Sequence, residues 1–174
     1  AIAAFGSKCG NSDLNIIAAA NHLCNKYGLD VISTGQVIAT AIEWFEKGII
    51  SEKDTGGLKL EFGNSDAIVE MVKLIGERKG FGDLLAEGSY RAAEKIGGDA
   101  MYYVMHVKKM EMPADGVRAS KGEAVSHATS ERGACHLRPY ASTIDAFGYV
   151  EPELGITEKK NPVSDKDKAW VKPW

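Results

Sequence analysis

The chain has 174 residues, of which 44% are hydrophobic and 26% charged, and its formal net charge is -3. Such a composition is that of an ordinary globular protein, large enough to bury a substantial core as one domain or two small ones. The slight acidity argues against nucleic acid or an anionic membrane as a partner, because neither is attracted by a surface without a basic excess. No apolar run approaches the ~20 residues that span a bilayer, so we expect no membrane partner.

Three cysteines, Cys9, Cys24 and Cys135, lie far apart and form no C-x-x-C pair. Sparse thiols are typical of a reducing compartment, so the sequence predicts a cytoplasmic protein without a disulfide framework. The set is too small for a four-cysteine site, and we predict no metal ligand in this chain. The first residues lack a methionine and the last, "DKAWVKPW", end without a tail, so we expect a piece of a longer protein.

Helical patterns dominate the first half of the chain. The sequence predicts a helix that is capped by Ser12 and ends at Gly28, and a second helix from about residue 33 to Gly48. The glycines of "SEKDTGGLKLEFGN" indicate a loop with a short extended piece. Asn64 and Asp66 can cap a third helix, which ends in "ERKG".

The second half is less regular. We expect a fourth helix over residues 83–96, interrupted by Gly88, and then a strand in "MYYVMHVKKMEMP". A further helix from Ser120 is predicted for "SKGEAVSHATS", and "ERGACHLRP" breaks it. The sequence therefore predicts an all-α, multihelical fold with one short extended segment.

The corner between the first two helices, "CNKYGLD", is the first candidate site. Carbonyl groups are free at a helix C-terminus, and Asn25 and Asp30 add acceptors beside them. Together they could bind a ligand rich in N–H groups, such as the edge of a pterin. The alternative is structural: Asp30 caps the second helix and Gly28 only turns the chain.

The second candidate site is "SERGACHLRP". His136 is suited to proton transfer near neutral pH, and Arg132 and Arg138 could bind a phosphate or carboxylate. The alternatives are a buried Cys135 beside a hydrogen-bonded histidine with surface arginines, or a Cys135–His136 nucleophile pair, which adjacent residues rarely form.

Other motifs favour structural roles. His127 and Glu123 are four residues apart on one helix, which more often makes a surface pair than a metal site, because two ligands leave zinc undercoordinated. The methionines of the extended segment are expected to pack against a core or an interface. The spacing of "GFGDLLAEG" fits neither a phosphate-binding loop nor a dinucleotide fingerprint.

Four ordered segments resemble the aldehyde:ferredoxin oxidoreductase family of tungsten enzymes. They are "NSDLNIIAAANHLCNKYGLDVISTG", "FGNSDAIVEMVKLIGERKGFGDLLAEGSYRAAEKIG", "VKKMEMPADGVRASKG" and "ATSERGACHLRPY". The resemblance implies the helical domains 2 and 3 of a three-domain subunit. Residues 1–140 would then be a pterin-contacting helical domain, and residues 141–174 the start of the next domain or a linker.

The resemblance also implies roles for particular residues. The family's first pterin-binding motif has the form D-x-x-G-L-D/C, and Asn25, Gly28, Leu29 and Asp30 match it with asparagine in place of the leading aspartate. His136 matches an active-site histidine that would act as general acid or base. We expect Asp30 to anchor the cofactor together with the Gly28–Leu29 backbone, and Arg138 to support it.

Two features depart from the family pattern. A C-x-x-C-x-x-x-C cluster motif is absent from this sequence, and the second D-x-x-G-L-C motif is expected beyond residue 174. The stretch "PADGVRASKG" differs from the family's "PAxDPRG", which puts the substrate in doubt and allows a subgroup that acts on aromatic or CoA-linked substrates.

The expected function is that of a fragment of a bis-pterin tungsten or molybdenum enzyme. The intact protein would interconvert aldehydes and carboxylic acids, with a [4Fe-4S] cluster that passes electrons to ferredoxin, and the chain would contact the remaining domains of the same enzyme. We expect the isolated chain to be inactive and to bind no cofactor. The alternative from another class is a non-catalytic helical module of the same fold.

Overall fold

The computed structural model describes residues 1–114, 117–118, 120–138, 141, 150–155 and 157. They belong to two compact units, Ala1–Ala114 and Asp115–Trp174. In the described residues the α-helices are α1 (Leu14–Tyr27), α2 (Val31–Glu46), α3 (Glu52–Thr55), α4 (Ser65–Glu77), α5 (Phe81–Leu85), α6 (Ser89–Ile96) and α7 (Lys121–Thr129). The strands β1 (His106–Val107) and β2 (Met110–Glu111) form an antiparallel pair. The all-α prediction is confirmed. The functional division at residue 140 stays a prediction.

Single helical turns complete the described elements. A π-helical turn and three 3₁₀ turns occupy Ile2–Gly6, Ser7–Cys9, Gly98–Tyr103 and Pro152–Leu154. None of the helices in the described ranges is both long and apolar enough to cross a membrane.

Short side chains and one glycine define the ends of α1 and α2. The prediction that Ser12 caps α1 is wrong. The side chain of Asp13 caps this helix and accepts a hydrogen bond from the backbone N–H of Asn15 at 2.8 Å. Gly28 ends α1 in the left-handed region at φ 70°, as predicted, because only glycine adopts it without a Cβ penalty. Asp30 then caps α2, which begins two residues earlier than expected.

The middle of the chain contains more helices than the sequence predicts. The predicted loop after α2 contains α3, whose start is a capping box in which Ser51 and Asp54 bond each other's backbone. The predicted helix over residues 83–96 is two helices, since Gly88 at φ 90° and ψ 158° lies outside the helical region.

The predicted strand is a 3₁₀ turn followed by a minimal hairpin. His106 pairs with Glu111, and Val107 pairs with Met110. Lys108 and Lys109 make the turn with φ values of 53° and 67°, the geometry that two-residue hairpin turns need. The hairpin directs β2 against α2 and α6.

Helix α2 is the centre of the first unit. Nine of its residues are buried: Thr34, Gly35, Val37, Ile38, Ala39, Thr40, Ala41, Ile42 and Trp44. A helix that is apolar on nearly every face is stable only when other elements surround it. The indole N–H of Trp44, fully buried, donates to the carbonyl of Ala100 at 2.8 Å, so burial leaves no orphan donor.

The second unit contains α7, which begins as predicted. The hydroxyl of Ser120 accepts the backbone N–H of Glu123 at 3.2 Å. Glu123 and His127, expected at the surface, are 0% and 2% exposed, and their carboxyl and imidazole groups approach to 3.1 Å. The surface interpretation of this pair is therefore wrong.

We predict that Gly82→Ala destabilises the first unit through a steric clash. A Cβ at Gly82 would lie 2.3 Å from the backbone carbon of Leu74, and backbone cannot move aside as a flexible side chain can. Overpacking of this kind typically costs about 1–3 kcal/mol. The free energy of unfolding in urea should fall by about that amount.

Gly28→Ala is the matched control, because open space surrounds Gly28 and only its positive φ opposes a side chain. It should lower stability by about 1 kcal/mol. A Gly82→Ala variant as stable as the parent would contradict the packing of α5 on α4.

We predict that stability falls as pH rises from about 9, because two core thiols must stay protonated in the folded state. Burial raises the pKa of Cys9 from 9.0 to about 12. Burial, helped by the charge of Asp30 and opposed by a hydrogen bond from Thr34, raises the pKa of Cys24 to about 11. Unfolded thiols lose their protons first, so the unfolded state binds fewer protons and gains relative stability.

Urea unfolding at several pH values between about 8 and 11 tests this prediction. Cys24→Ala should show a shallower loss of stability with rising pH than the parent. Equal slopes for the two proteins would show that Cys24 keeps an ordinary pKa.

Candidate functional site

A cavity of about 260 Å³ lies in the first unit beside the corner between α1 and α2. The start of α2, the residues between α5 and α6, and the end of β2 contribute to its wall. The lining residues are Leu29, Asp30, Ser33, Thr34, Val37, Ile75, Leu85, Ala86, Glu87, Gly88 and Glu111. The cavity therefore joins the predicted corner to segments that are distant in sequence.

Asp30 has a structural role and also faces this cavity. Its Oδ1 accepts the backbone N–H of Ser33 at 2.7 Å and so caps α2. A carboxylate has about four lone-pair sites, and the cap uses one of them. Because the side chain is exposed and lines the cavity, Asp30 retains acceptor capacity for a ligand. The two interpretations of this residue are compatible.

The other residues of the predicted motif differ in whether they line the cavity. Leu29 is half-buried and lines the cavity, and its backbone N–H is bonded to the carbonyl of Cys24 at 2.9 Å. Asn25 and Gly28 are exposed, and the residues that line the cavity do not include them. The amide of Gly28 is bonded to the carbonyl of Asn25, which belongs to the C-terminal cap of α1. Only Leu29 and Asp30 of this motif line the cavity.

Glu111 is a cavity residue that sequence reasoning missed. It is 7% exposed, and its Oε1 accepts the backbone N–H of Ser89 at 2.8 Å and the Ser89 hydroxyl at 3.1 Å. A buried carboxyl group requires such partners. The available signal was a single glutamate between two methionines in a segment ended by Pro113.

Glu87 supplies a third carboxylate, which is paired outside the cavity. Its side chain accepts a hydrogen bond from the guanidinium of Arg78, and Arg78 also bonds Asp83 at 2.7 Å. The pairing with Arg78 lowers the pKa of the Glu87 carboxyl and keeps it ionised. The exposed pair contributes little to stability, and the guanidinium of Arg78 offsets the charge of Glu87 beside this wall.

The chemistry of the lining selects a class of ligand. Three carboxyl groups and two hydroxyls surround the cavity, and its described lining residues include no lysine, arginine or histidine. Phosphates and carboxylates would be repelled, whereas neutral or cationic groups rich in N–H donors find acceptors. A pterin edge, with its amino group and ring N–H, fits this donor–acceptor requirement. The volume is below the ~300 Å³ of typical small-molecule sites, so it suits part of a cofactor.

The second candidate segment lies in the other unit. His136 is half-buried and Arg138 is exposed. Cys135 is 1% exposed, and its sulfur accepts from the side chain of Arg132 at 3.4 Å, which favours a structural role for this cysteine. The roles of His136 and Arg138 stay predictions.

No group of three or more histidine, cysteine, aspartate or glutamate side chains within the described ranges is arranged to hold a metal ion. The carboxyl groups of Asp30 and Glu111 each accept a backbone N–H instead.

The sequence of this chain is similar to those of known proteins. The family model described as aldehyde ferredoxin oxidoreductase, domains 2 & 3, matches residues 1–174. The tungsten-containing aldehyde ferredoxin oxidoreductase of Pyrococcus horikoshii is 42% identical over 149 residues, which are 84% of this chain and 24% of that protein. The aliphatic sulfonate oxidoreductase, WOR-like subunit, of Pyrococcus furiosus is 35% identical, over 83% of this chain and 24% of that protein.

A solved structure is also similar. The active site complex BamBC of benzoyl coenzyme A reductase with 1,5-dienoyl-CoA matches with a TM-score of 0.54 and 38% identity, over 59% of this chain and 16% of that one. The chain spans about a quarter of the length of the curated relatives it matches. Because the family model covers every residue, the chain belongs to the aldehyde ferredoxin oxidoreductase family, in the region of domains 2 and 3.

Proposed function

We propose that this chain forms part of the pterin site of a tungsten or molybdenum oxidoreductase that interconverts aldehydes and carboxylic acids. The observation that carries the proposal is the cavity lined by Leu29 and Asp30, with acceptors in its wall and no cationic side chain among the lining residues that the structure describes. Both residues belong to the segment that matches the family's pterin motif. Ferredoxin would be the electron partner, and other domains of the same enzyme would complete the site.

Each residue has a separate task in this proposal. Asp30 and Glu111 accept N–H groups of a pterin edge, and Leu29 supplies apolar contact. Asn25 and Gly28 shape the corner that presents Asp30. His136 acts as general acid or base toward the substrate, since an imidazole exchanges protons near neutral pH, and Arg138 supports the cofactor.

The bound metal group would supply the two-electron redox chemistry, and this chain would supply binding and orientation. In this proposal the carboxyl groups of the cavity wall contact the heterocycle of the cofactor and not its metal. A carboxylate that accepts N–H bonds in a partly dry wall holds the ring more tightly than water does, because charge-assisted bonds are about twice as strong as neutral ones.

An aromatic, CoA-linked substrate is a second candidate. The solved structure of the benzoyl coenzyme A reductase complex is 38% identical to this chain, and the segment "PADGVRASKG" departs from the family's usual pattern. In that case the pterin site would be the same, and the substrate would differ.

We predict that Asp30→Asn weakens binding of free pterin to the chain at least about tenfold. Asparagine caps helices as well as aspartate does, so α2 should keep its start. The charge of the acceptor is lost, and a charged hydrogen bond contributes about 1.5–3 kcal/mol. Quenching of pterin fluorescence measures the dissociation constant.

Asp13→Asn is the matched control, because Asp13 also caps a helix but does not line the cavity. It should bind pterin as the parent does. Equal binding by the parent and Asp30→Asn would overturn the assignment. The whole cofactor should not stay on this chain alone, whereas free pterin at millimolar concentration should reach the cavity, so parent protein that binds no pterin at that concentration would overturn the proposed function.

We also predict that the purified 174-residue chain carries far less than one tungsten and one iron atom per molecule. Its described residues assemble no three-ligand metal group, and half a cofactor cradle leaves the polar edges of a cofactor in water. Elemental analysis by mass spectrometry measures both metals. Near-stoichiometric tungsten or iron would contradict the proposal that other domains of the enzyme are needed to hold the metal groups.

A further inference from the structure

We propose that Ser89 is a positioning residue that fixes the carboxyl group of Glu111 in the wall of the cavity. The inference deepens the proposed function and rests on it for its consequence in ligand binding. The geometry itself lies entirely within the first unit.

Two donors of Ser89 converge on one oxygen atom. The backbone N–H reaches Oε1 of Glu111 at 2.8 Å, and the hydroxyl reaches the same atom at 3.1 Å. Ser89 is 1% exposed and Glu111 is 7% exposed, so water does not compete for these bonds. Rotation about the last torsion of a glutamate is soft, and two donors from one residue select a single orientation.

Gly88 makes this approach possible. A Cβ built at Gly88 would lie 2.8 Å from Oε1 of Glu111, closer than real Cβ contacts allow. Its φ of 90° also turns the chain so that the first N–H of α6 faces the carboxyl group. The Gly88–Ser89 pair therefore forms a site for one carboxyl oxygen, whereas its sequence resembled a phosphate loop only superficially.

The backbone beside Glu111 is held from the opposite side. The ammonium group of Lys8 donates to the carbonyl of Met112 at 2.7 Å and to the side chain of Gln36 at 2.6 Å. Gln36 belongs to α2, the helix that also carries Ser33 and Thr34 into the cavity wall. Lys8 thus anchors the main chain at Met112, directly after β2, and Ser89 orients the side chain of Glu111.

This arrangement leaves capacity for a ligand. Among the described residues, both donors to Glu111 use Oε1, which leaves the lone pairs of Oε2 to an N–H group in the cavity. A carboxyl group whose orientation is fixed before binding loses less conformational freedom when the ligand arrives. Ser89 therefore contributes to affinity without contacting the ligand.

The test compares Ser89→Ala with the parent chain by two measurements. The first, without ligand, is the carboxyl ¹³C NMR signal of Glu111, which should move in Ser89→Ala. The second is pterin binding, which should weaken by about threefold to tenfold, the range that one neutral hydrogen bond supports. In a Glu111→Gln background, Ser89→Ala should have no further effect on pterin binding, because Ser89 acts through Glu111.

Thr55→Val is the matched control. Thr55 is a buried hydroxyl that donates to the carbonyl of Leu58 at 2.6 Å, away from the cavity. Its loss should lower stability and leave both measurements unchanged.

The possible results separate the two proposals. An unmoved Glu111 signal in Ser89→Ala overturns the positioning role, whatever pterin does. A moved signal together with a parent chain that binds no pterin supports the orientation of Glu111 and overturns the proposed function. An equal loss of pterin affinity in the presence and absence of Glu111 would show that Ser89 has a general structural role and would overturn the inference.

Discussion

The hydrogen bond from the Ser33 amide to the Asp30 carboxylate fixes the start of α2, the helix around which the described first unit is packed. It lies where α1 has just ended at Gly28 and α2, the most buried helix, must begin. The first N–H groups of α2 have no partner within the helix, and the carboxylate of Asp30 satisfies one of them. A side chain that supplies such an acceptor at a cavity edge also presents a charge to whatever occupies that cavity.

Glu111 combines the same two roles in another part of the cavity wall. The carboxyl group of Glu111 accepts the first N–H of α6, so a group that lines the cavity also satisfies a helix end. Glu87 is fixed by Arg78, at the C-terminal end of α4. The site is therefore assembled from the requirements of helix termini, and its negative character follows from the need of N–H groups for acceptors.

Local chemistry made part of this predictable from the sequence. Gly28 after an amphipathic run and Asn64 before another gave correct helix ends, because caps depend on neighbouring residues alone. The capping box of Ser51 and Asp54 was present in the sequence too, but the glycines after it suggested a loop. The position of Asp30 at a cavity followed from the family resemblance; from the residues alone the structural cap was the stronger interpretation.

Contacts between distant segments could not be predicted. Glu111 meets Ser89 across 22 positions, and nothing in either local pattern indicates the other. The burial of Glu123 and His127 depends on what packs on α7. The prediction that this pair lies at the surface is wrong for that reason. The hairpin turn at Lys108 and Lys109 lacks the asparagine and glycine that usually mark such turns.

Occupation of the cavity beside Asp30 by pterin is tested most directly by mapping amide chemical shifts by NMR during a pterin titration. The shifts should concentrate at Leu29, Asp30, Ser33, Gly88 and Ser89. Shifts that instead gather around the separate groove of Phe81, Leu84 and Lys95, or are spread evenly over the chain, would contradict it.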